Sequence, residues 1–366
     1  MVQWEQEYLK KEETLTSDSG TIDIDLPKNE QIGMIMLEMR GSHSAAELLG
    51  SILNVPTKVE VILEGSKIAF SMTPEIASYM YYLATGRLPN HRIKDRGNDY
   101  MRLPIFFGTK YRDENYLLNT GDYKTAKLQI PYSYSTSYYT TGTLQYTAWY
   151  ERPRKPLSPA GFIRQRTVKT ETRSASASEF THDLPVDFPV LDIGFRAFDI
   201  NAWLQNVITD VKLDINSGRD VIFDGRIEDL EELQHLLFGI CKGYHQWRYC
   251  TNGDSIICYM GFGAYHMAYY FIRSAAGNTV NCSTIHGPQA TITMYTGAGA
   301  AETADKDLMF RLDGLAPHSC FSLLHTKPDE PYPLDEKDEA KIVFTQGAYA
   351  HEATSFLREV VLGVLG

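Results

Sequence analysis

Short runs in which apolar and polar residues alternate dominate this 366-residue chain. Thr21–Asp25 reads TIDID, and a similar alternation recurs in 34–39, 58–63, 127–132, 143–149, 167–172, 210–215 and 289–295. A period of two puts every second side chain on one face, so each run predicts a half-buried β-strand. Turn-forming clusters at Asn119-Thr120-Gly121-Asp122, Asn216-Ser217-Gly218 and Asn252-Gly253-Asp254 separate these runs, as hairpins and longer loops require. The chain is therefore expected to be mostly β.

Two segments break the pattern with a helical period, and each follows a strand hairpin. In the first, Thr73 is placed to cap, Pro74 suits the first helical position, Ile76, Tyr79, Met80 and Leu83 form one apolar stripe, and Gly86 closes it. In the second, Asp224 is the expected cap and Glu228 and Asp229 suit the positive helix end. Ile227, Leu230, Leu233 and Leu237 make the stripe, and Gly239 stops it.

The two regions overlay as a repeat of domain size. Asp25-Leu26-Pro27 matches Asp183-Leu184-Pro185 at an offset of 158 (183 − 25), and the strands around Ile32–Met39 and Val190–Ala197 keep it. Gly65 and Gly86 match Gly218 and Gly239 at an offset of 153 (218 − 65 and 239 − 86), with Ile68 and Phe70 falling on Val221 and Phe223. So large a period indicates duplicated domains rather than a solenoid or propeller. The first copy runs from Gly20 to Pro153 and the second from Gly161 onward. Between them Arg152–Pro159 (RPRKPLSP) is a proline-rich basic connector.

Composition agrees with two soluble globular units: 43% hydrophobic and 22% charged residues leave no room for a mainly disordered chain. No run approaches the ~20 apolar residues that cross a bilayer, and charges interrupt the start where a signal peptide carries its apolar stretch. The net charge of −11 disfavours direct, sequence-specific nucleic-acid binding. Cys241, Cys250, Cys258, Cys282 and Cys320 contain no C-x-x-C pair and read as reduced, buried thiols of a cytoplasmic protein, with zinc or disulfides as other readings.

Catalytic patterns are few. There is no phosphate loop, and Thr296–Ala301 (TGAGAA) lacks the rest of the dinucleotide fingerprint and reads as a surface turn. His351-Glu352 begins a zinc-protease pattern whose fifth position is Ser355, not histidine. No His-x-His suits a bicupin metal site, and His245, His266 and His286 could meet only by folding. Glu38, Glu64, Asp192 and Asp214 lie on strands and are expected to face solvent. The Tyr-rich stretches Tyr132–Tyr139 and Tyr265–Phe271 suit either packing or stacking on sugars. No catalytic, metal or cofactor residue is assigned, no cofactor is expected, and the chain is read as a non-enzyme.

This pattern resembles the double-jelly-roll major capsid proteins of tailless icosahedral viruses across nearly the whole chain. The resemblance rests on the repeated hairpin-helix units Val59–Gly86 and Val211–Gly239, on Pro104–Gly108 (PIFFG) followed by Asp113 and Leu117-Leu118, and on overall length. It implies two tandem jelly-roll β-sandwiches, each with a short helix after a strand hairpin: an N-terminal arm 1–19, a first jelly roll 20–155, and a second, 156–366, with longer insertions including Cys241–Gly263 and Ala298–Asp307. It implies homotrimers of pseudo-hexagonal outline tiling an icosahedral shell, with the protein made in the host cytoplasm and residing in the virion. Partners on this reading are neighbouring capsomers, minor capsid or penton proteins, and an internal membrane touched by Met1–Lys11, where Trp4, Tyr8 and Leu9 suit a short amphipathic helix. A glycan- or receptor-binding virion protein and a two-jelly-roll glycan hydrolase are the alternatives.

Overall fold

The computed structural model describes residues 2–42, 52–91, 93–94, 98–176, 178–199, 202–250, 256–259, 262–273, 279–286, 289–296 and 306–365, and side chains outside 92–98 and 243–312. Eight principal strands build a first sandwich: Trp4–Thr14, Ser19–Asp25, Met34–Ser42, Val59–Leu63, Lys67–Met72, Asn98–Phe106, Ala126–Ser133 and Gln145–Pro153. Numbered by position, one sheet runs 1-8-3-6 and the other 2-7-4-5, the jelly-roll order. The alternation read from sequence decides which side chains enter the core. Ile22, Ile24, Val59, Val61 and Leu63 point inward from one sheet and meet Ile35, Leu37, Leu103 and Ile105 from the other. Fully burying each such side chain contributes roughly 1.5–3 kcal/mol.

The second sandwich repeats the order. Its strands are Gly161–Arg173, Glu179–Leu184, Val190–Phe198, Ile208–Ile215, Asp220–Arg226, Cys320–His325, Ala340–Gln346 and His351–Leu362, again paired 1-8-3-6 and 2-7-4-5. Its core centres on Phe195, Phe321 and Phe344. The helices Pro74–Thr85 and Ile227–Phe238 follow the fifth strands at the same offset of 153 (227 − 74 and 238 − 85). Gly65 and Gly218, at φ +79° and +82°, turn the two preceding hairpins through backbone that favours glycine.

Three local expectations change. The second cap is Arg226, not Asp224, because the strand runs through Asp224 and enters the helix with no intervening loop. Arg226 (φ −71°, ψ 157°) matches Thr73 (φ −70°, ψ 157°), and neither makes a side-chain cap hydrogen bond. Leu237, placed on the apolar stripe, is 56% exposed. Met1–Lys11, expected to suit a short amphipathic helix, instead enters the edge strand Trp4–Thr14, antiparallel to Gln145–Pro153. There the sheet supplies backbone partners, and Arg152 holds Glu7 at 2.6 Å and Glu5 at 3.3 Å.

The extra length of the second half lies between its helix and its sixth strand. Cys241–Cys250, Phe262–Arg273 and Lys306–Pro317 form one sheet, with Ile93–Lys94 of the first half added in parallel to Cys241–Cys250. Ile256–Tyr259, Thr279–His286 and Gln289–Thr296 form a second. The expected insertions at Cys241–Gly263 and Ala298–Asp307 are thus two parts of one longer insertion. Residues 298–305 lie outside the described set.

Candidate functional site

Among the described residues, the two carboxylates with no exposed surface, Asp192 and Glu359, lie where the two sandwiches join. The fifth strand of the first sandwich, Lys67–Met72, pairs in parallel with the first strand of the second, with Phe70 opposite Gln165 and Ser71 opposite Arg166. This pairing fuses two sheets into one of eight strands. Around it the PIFFG segment inserts: Ile163 N–H donates to Phe107 O at 2.7 Å, and Gln165 Nε2 donates to Phe106 O at 2.7 Å. Asp113 Oδ2 accepts from Thr109 N and Oγ1, and Asp113 Oδ1 accepts from Asn115 N, which folds the loop onto Gly108. Leu117 N–H then donates to Gly161 O at 2.8 Å.

Helix Pro74–Thr85 crosses the same seam. Tyr79 Oη donates to Gln234 Oε1 at 3.1 Å, and Gln234 Nε2 donates to Ser322 O at 2.9 Å. The Tyr79 ring meets Phe356 edge-on at 5.9 Å. Burial, with the nearby Cys320 sulfur and the Asp192 carboxylate adding to it, raises the Tyr79 hydroxyl well above its ordinary pKa, so it stays a donor.

Below the helix, Asp192 accepts from Arg358 Nη1 at 3.0 Å and lies 2.5 Å from His325 Nδ1. Arg358 Nη2 reaches across to Thr109 O at 3.2 Å. Glu359, also without exposed surface, takes a two-point contact from Arg166 at 2.8 and 2.9 Å, with Arg164 at 3.5 Å. An open cleft of about 770 Å³ lies alongside, lined by Lys110, Asp113, Tyr116, His325, Lys327 and Arg358 among others. Its most buried charges, Asp113 and Arg358, are already spent on the seam.

The strand carboxylates expected to face solvent include three that are buried. Asp192 is fully buried, Glu38 is held by Arg40 and by Arg102 at 2.6 Å, and Asp214 accepts from Gly218 N at 2.5 Å. Glu64 faces solvent as expected, in the turn after Val59–Leu63 and beside Lys67 at 2.9 Å. Each charge is matched by a base or a backbone N–H, which removes the cost of burying it alone. Tyr132 and Tyr139 of the first tyrosine cluster pack into the core, and Tyr139 Oη donates to buried Asp99 at 2.9 Å. Cys241 and Cys320 are free, buried thiols; burial pushes Cys241 up to about 12. The side chains of Cys250, Cys258, Cys282, His245, His266, His286 and Tyr265–Phe271 lie outside the described residues, as do residues 297–301. Among the described residues no group of three or more His, Cys, Asp or Glu comes together to hold a metal ion.

Sequence reading missed Arg358, Glu359 and His325. One signal was available: Arg358-Glu359 interrupts the apolar run Phe356 to Leu362, and a charged pair inside such a strand must find partners when the strand is buried.

The arrangement matches known structures over its full length. The crystal structure of the STIV (Sulfolobus turreted icosahedral virus) major capsid protein superimposes with a TM-score of 0.59 at 11% identity, covering 98% of this chain and 97% of that one. The fold is the double jelly roll of viral major capsid proteins. The major capsid protein of bacteriophage PM2 matches with a TM-score of 0.51 at 8% identity over 98% of each chain. The PBCV-1 capsid protein matches with a TM-score of 0.50 at 8% identity, over 98% of this chain and 94% of that one. No protein-family model and no curated protein matches the sequence.

Proposed function

We propose that this chain is a major capsid protein that assembles into homotrimers of pseudo-hexagonal outline, the building blocks of an icosahedral shell. The observation that carries the reading is the end-to-end match of both sandwiches, 98% of this chain on 97% of the STIV major capsid protein. The seam supports it physically: buried charges at the candidate site are spent on holding two sandwiches in one orientation. The role is contact and shape, without catalysis.

On this reading the chain divides into an arm at 1–19, one jelly roll at 20–155 and a second at 156–366, and its place is the virion shell, after synthesis in the host cytoplasm. Its partners are copies of itself, minor or penton proteins at the vertices, and an underlying membrane surface. The N-terminal segment approaches that surface as a strand rather than as a helix. The whole chain's net charge of −11 fits contact with proteins more than with a genome.

Negative-stain imaging of the purified chain tests the reading. Six-lobed particles are expected; a field of two-lobed single chains at all concentrations contradicts it.

A further inference from the structure

The duplication leaves two strand edges without the neighbour that their counterparts have. The fifth strand of the first sandwich is covered by the first strand of the second. The fifth strand of the second, Asp220–Arg226, and the first strand of the first, Trp4–Thr14, are edge strands with no further strand pairing among the described residues. Exposure follows the same division. At the 153 offset Ala69 is buried and Ile68 half-buried, whereas their counterparts Ile222 and Val221 are 37% and 43% exposed; on the other edge Tyr8 is 56% exposed. Unpaired backbone donors and acceptors beside apolar side chains form a template for another strand.

The helices tell the same story. Pro74–Thr85 rests on the second sandwich through Tyr79 and Tyr82, whose hydroxyls reach Gln234 and Phe238 O. Its Leu83 and Ala84 are half-buried. At the offset of 153 their counterparts Leu236 and Leu237 are 75% and 56% exposed.

We propose that the Asp220–Arg226 edge of one copy adds in parallel to the Trp4–Thr14 edge of a second copy, repeating between chains the junction that Lys67–Met72 and Gly161–Arg173 make within one. The register follows from the repeat. Ile35 and Ile193 correspond at the 158 offset; they lie opposite Tyr150 and Leu357, which lie opposite Glu7 and Arg166. Glu7 is therefore the counterpart of Arg166, and Gln6 that of Gln165. The pair Phe70–Gln165 becomes Phe223–Gln6, with the same two residue types, and Ser71–Arg166 becomes Asp224–Glu7.

That second pair sets two carboxylates side by side where the internal junction has none. The external junction is therefore the weaker of the two. Each copy carries one edge of each kind, so the contact is head-to-tail and a ring closes it. Three copies would alternate internal and external junctions among six sandwiches. The proposal rests on the trimeric reading above and names the surfaces that make the trimer.

The test uses the full chain. Glu7→Cys with Asp224→Cys, mildly oxidised, is expected to give disulfide-linked dimers and trimers that neither single variant nor the unaltered protein gives. Asp224→Ser should tighten assembly several-fold, and Val221→Asp should weaken it roughly tenfold with an unchanged circular dichroism spectrum. Trimers that form in the unaltered protein, with no cross-link in the double variant and normal assembly of Val221→Asp, overturn the edge pairing and leave the trimeric reading standing. An unaltered chain that stays monomeric at every concentration overturns both.

Discussion

Asp192 and Arg358, 166 residues apart in sequence, meet at 3.0 Å with both side chains buried, and the same guanidinium donates to Thr109 O of the other sandwich. One ion pair thus ties the third and eighth strands of the second sandwich to the loop that follows the sixth strand of the first. A charge pair of this kind adds little net stability, but losing one member strands the other in a low-dielectric interior.

Arg358→Ala is expected to cost roughly 3–5 kcal/mol, because Asp192 keeps only His325 as a partner. Replacing both residues together, Asp192→Leu with Arg358→Met, should cost less than either single change. Urea unfolding of the four proteins measures the difference; additive losses would contradict the coupling.

Tyr79→Phe removes one hydrogen bond and leaves Gln234 Oε1 with Ser322 N at 3.5 Å. The expected loss is about 1–2 kcal/mol, read as a lower unfolding midpoint.

Gly161 begins the second sandwich against the backbone of Val361 and Leu362, and a Cβ there would collide with the Val361 carbonyl oxygen. Gly161→Ala should cost roughly 3 kcal/mol, since two paired backbones must move apart. Gly142→Ala, at a turn where a Cβ would meet nothing within 4 Å, is strained only by its φ of +82° and should cost less. Thermal midpoints of the two variants separate the effects.

The titration of Glu231 sets one pH dependence. Burial, with the Glu228 charge adding to it, pushes its carboxyl up to about 7 from 4.5, and Oε1 has no hydrogen-bond partner. The folded chain then holds a proton that the unfolded chain has released. The contribution is fully present below about 4.5 and is lost as pH rises through 7. Glu231→Gln should be more stable than the unaltered protein by about 3 kcal/mol above pH 7, with the gap closing toward pH 4.5. A gap independent of pH would contradict this.

Histidines act in the opposite sense. Burial lowers His182 to about 4 and His318 to about 3 from 6.5. The unfolded chain takes up protons first as pH falls, so their contribution is present above 6.5 and is lost between 6.5 and those values. His182→Phe, in contact with the Phe180 and Phe344 rings, should reduce the loss of stability between pH 6.5 and 4.

The duplicated hairpin and helix were legible because their signals are local: glycines with positive φ at 65, 86, 218 and 239, and apolar stripes between them. The N-terminal strand was not, because Trp4, Tyr8 and Leu9 share one face of a helix as well as flanking a strand. Only Gln145–Pro153, more than 130 residues away, decides between them. The burial of Asp192 was hidden for the same reason. A lone acid on a strand looks solvent-facing until Arg358 and His325 arrive from two distant strands. The PIFFG segment was visible as a motif, but its place at the seam depends on Gly161–Gln165 meeting it in three dimensions.

The most direct test of the central claim is the mass of the full chain in solution by sedimentation velocity over a hundredfold range of concentration. A species of three chains that persists on dilution is expected. A single-chain mass across the whole range would contradict it.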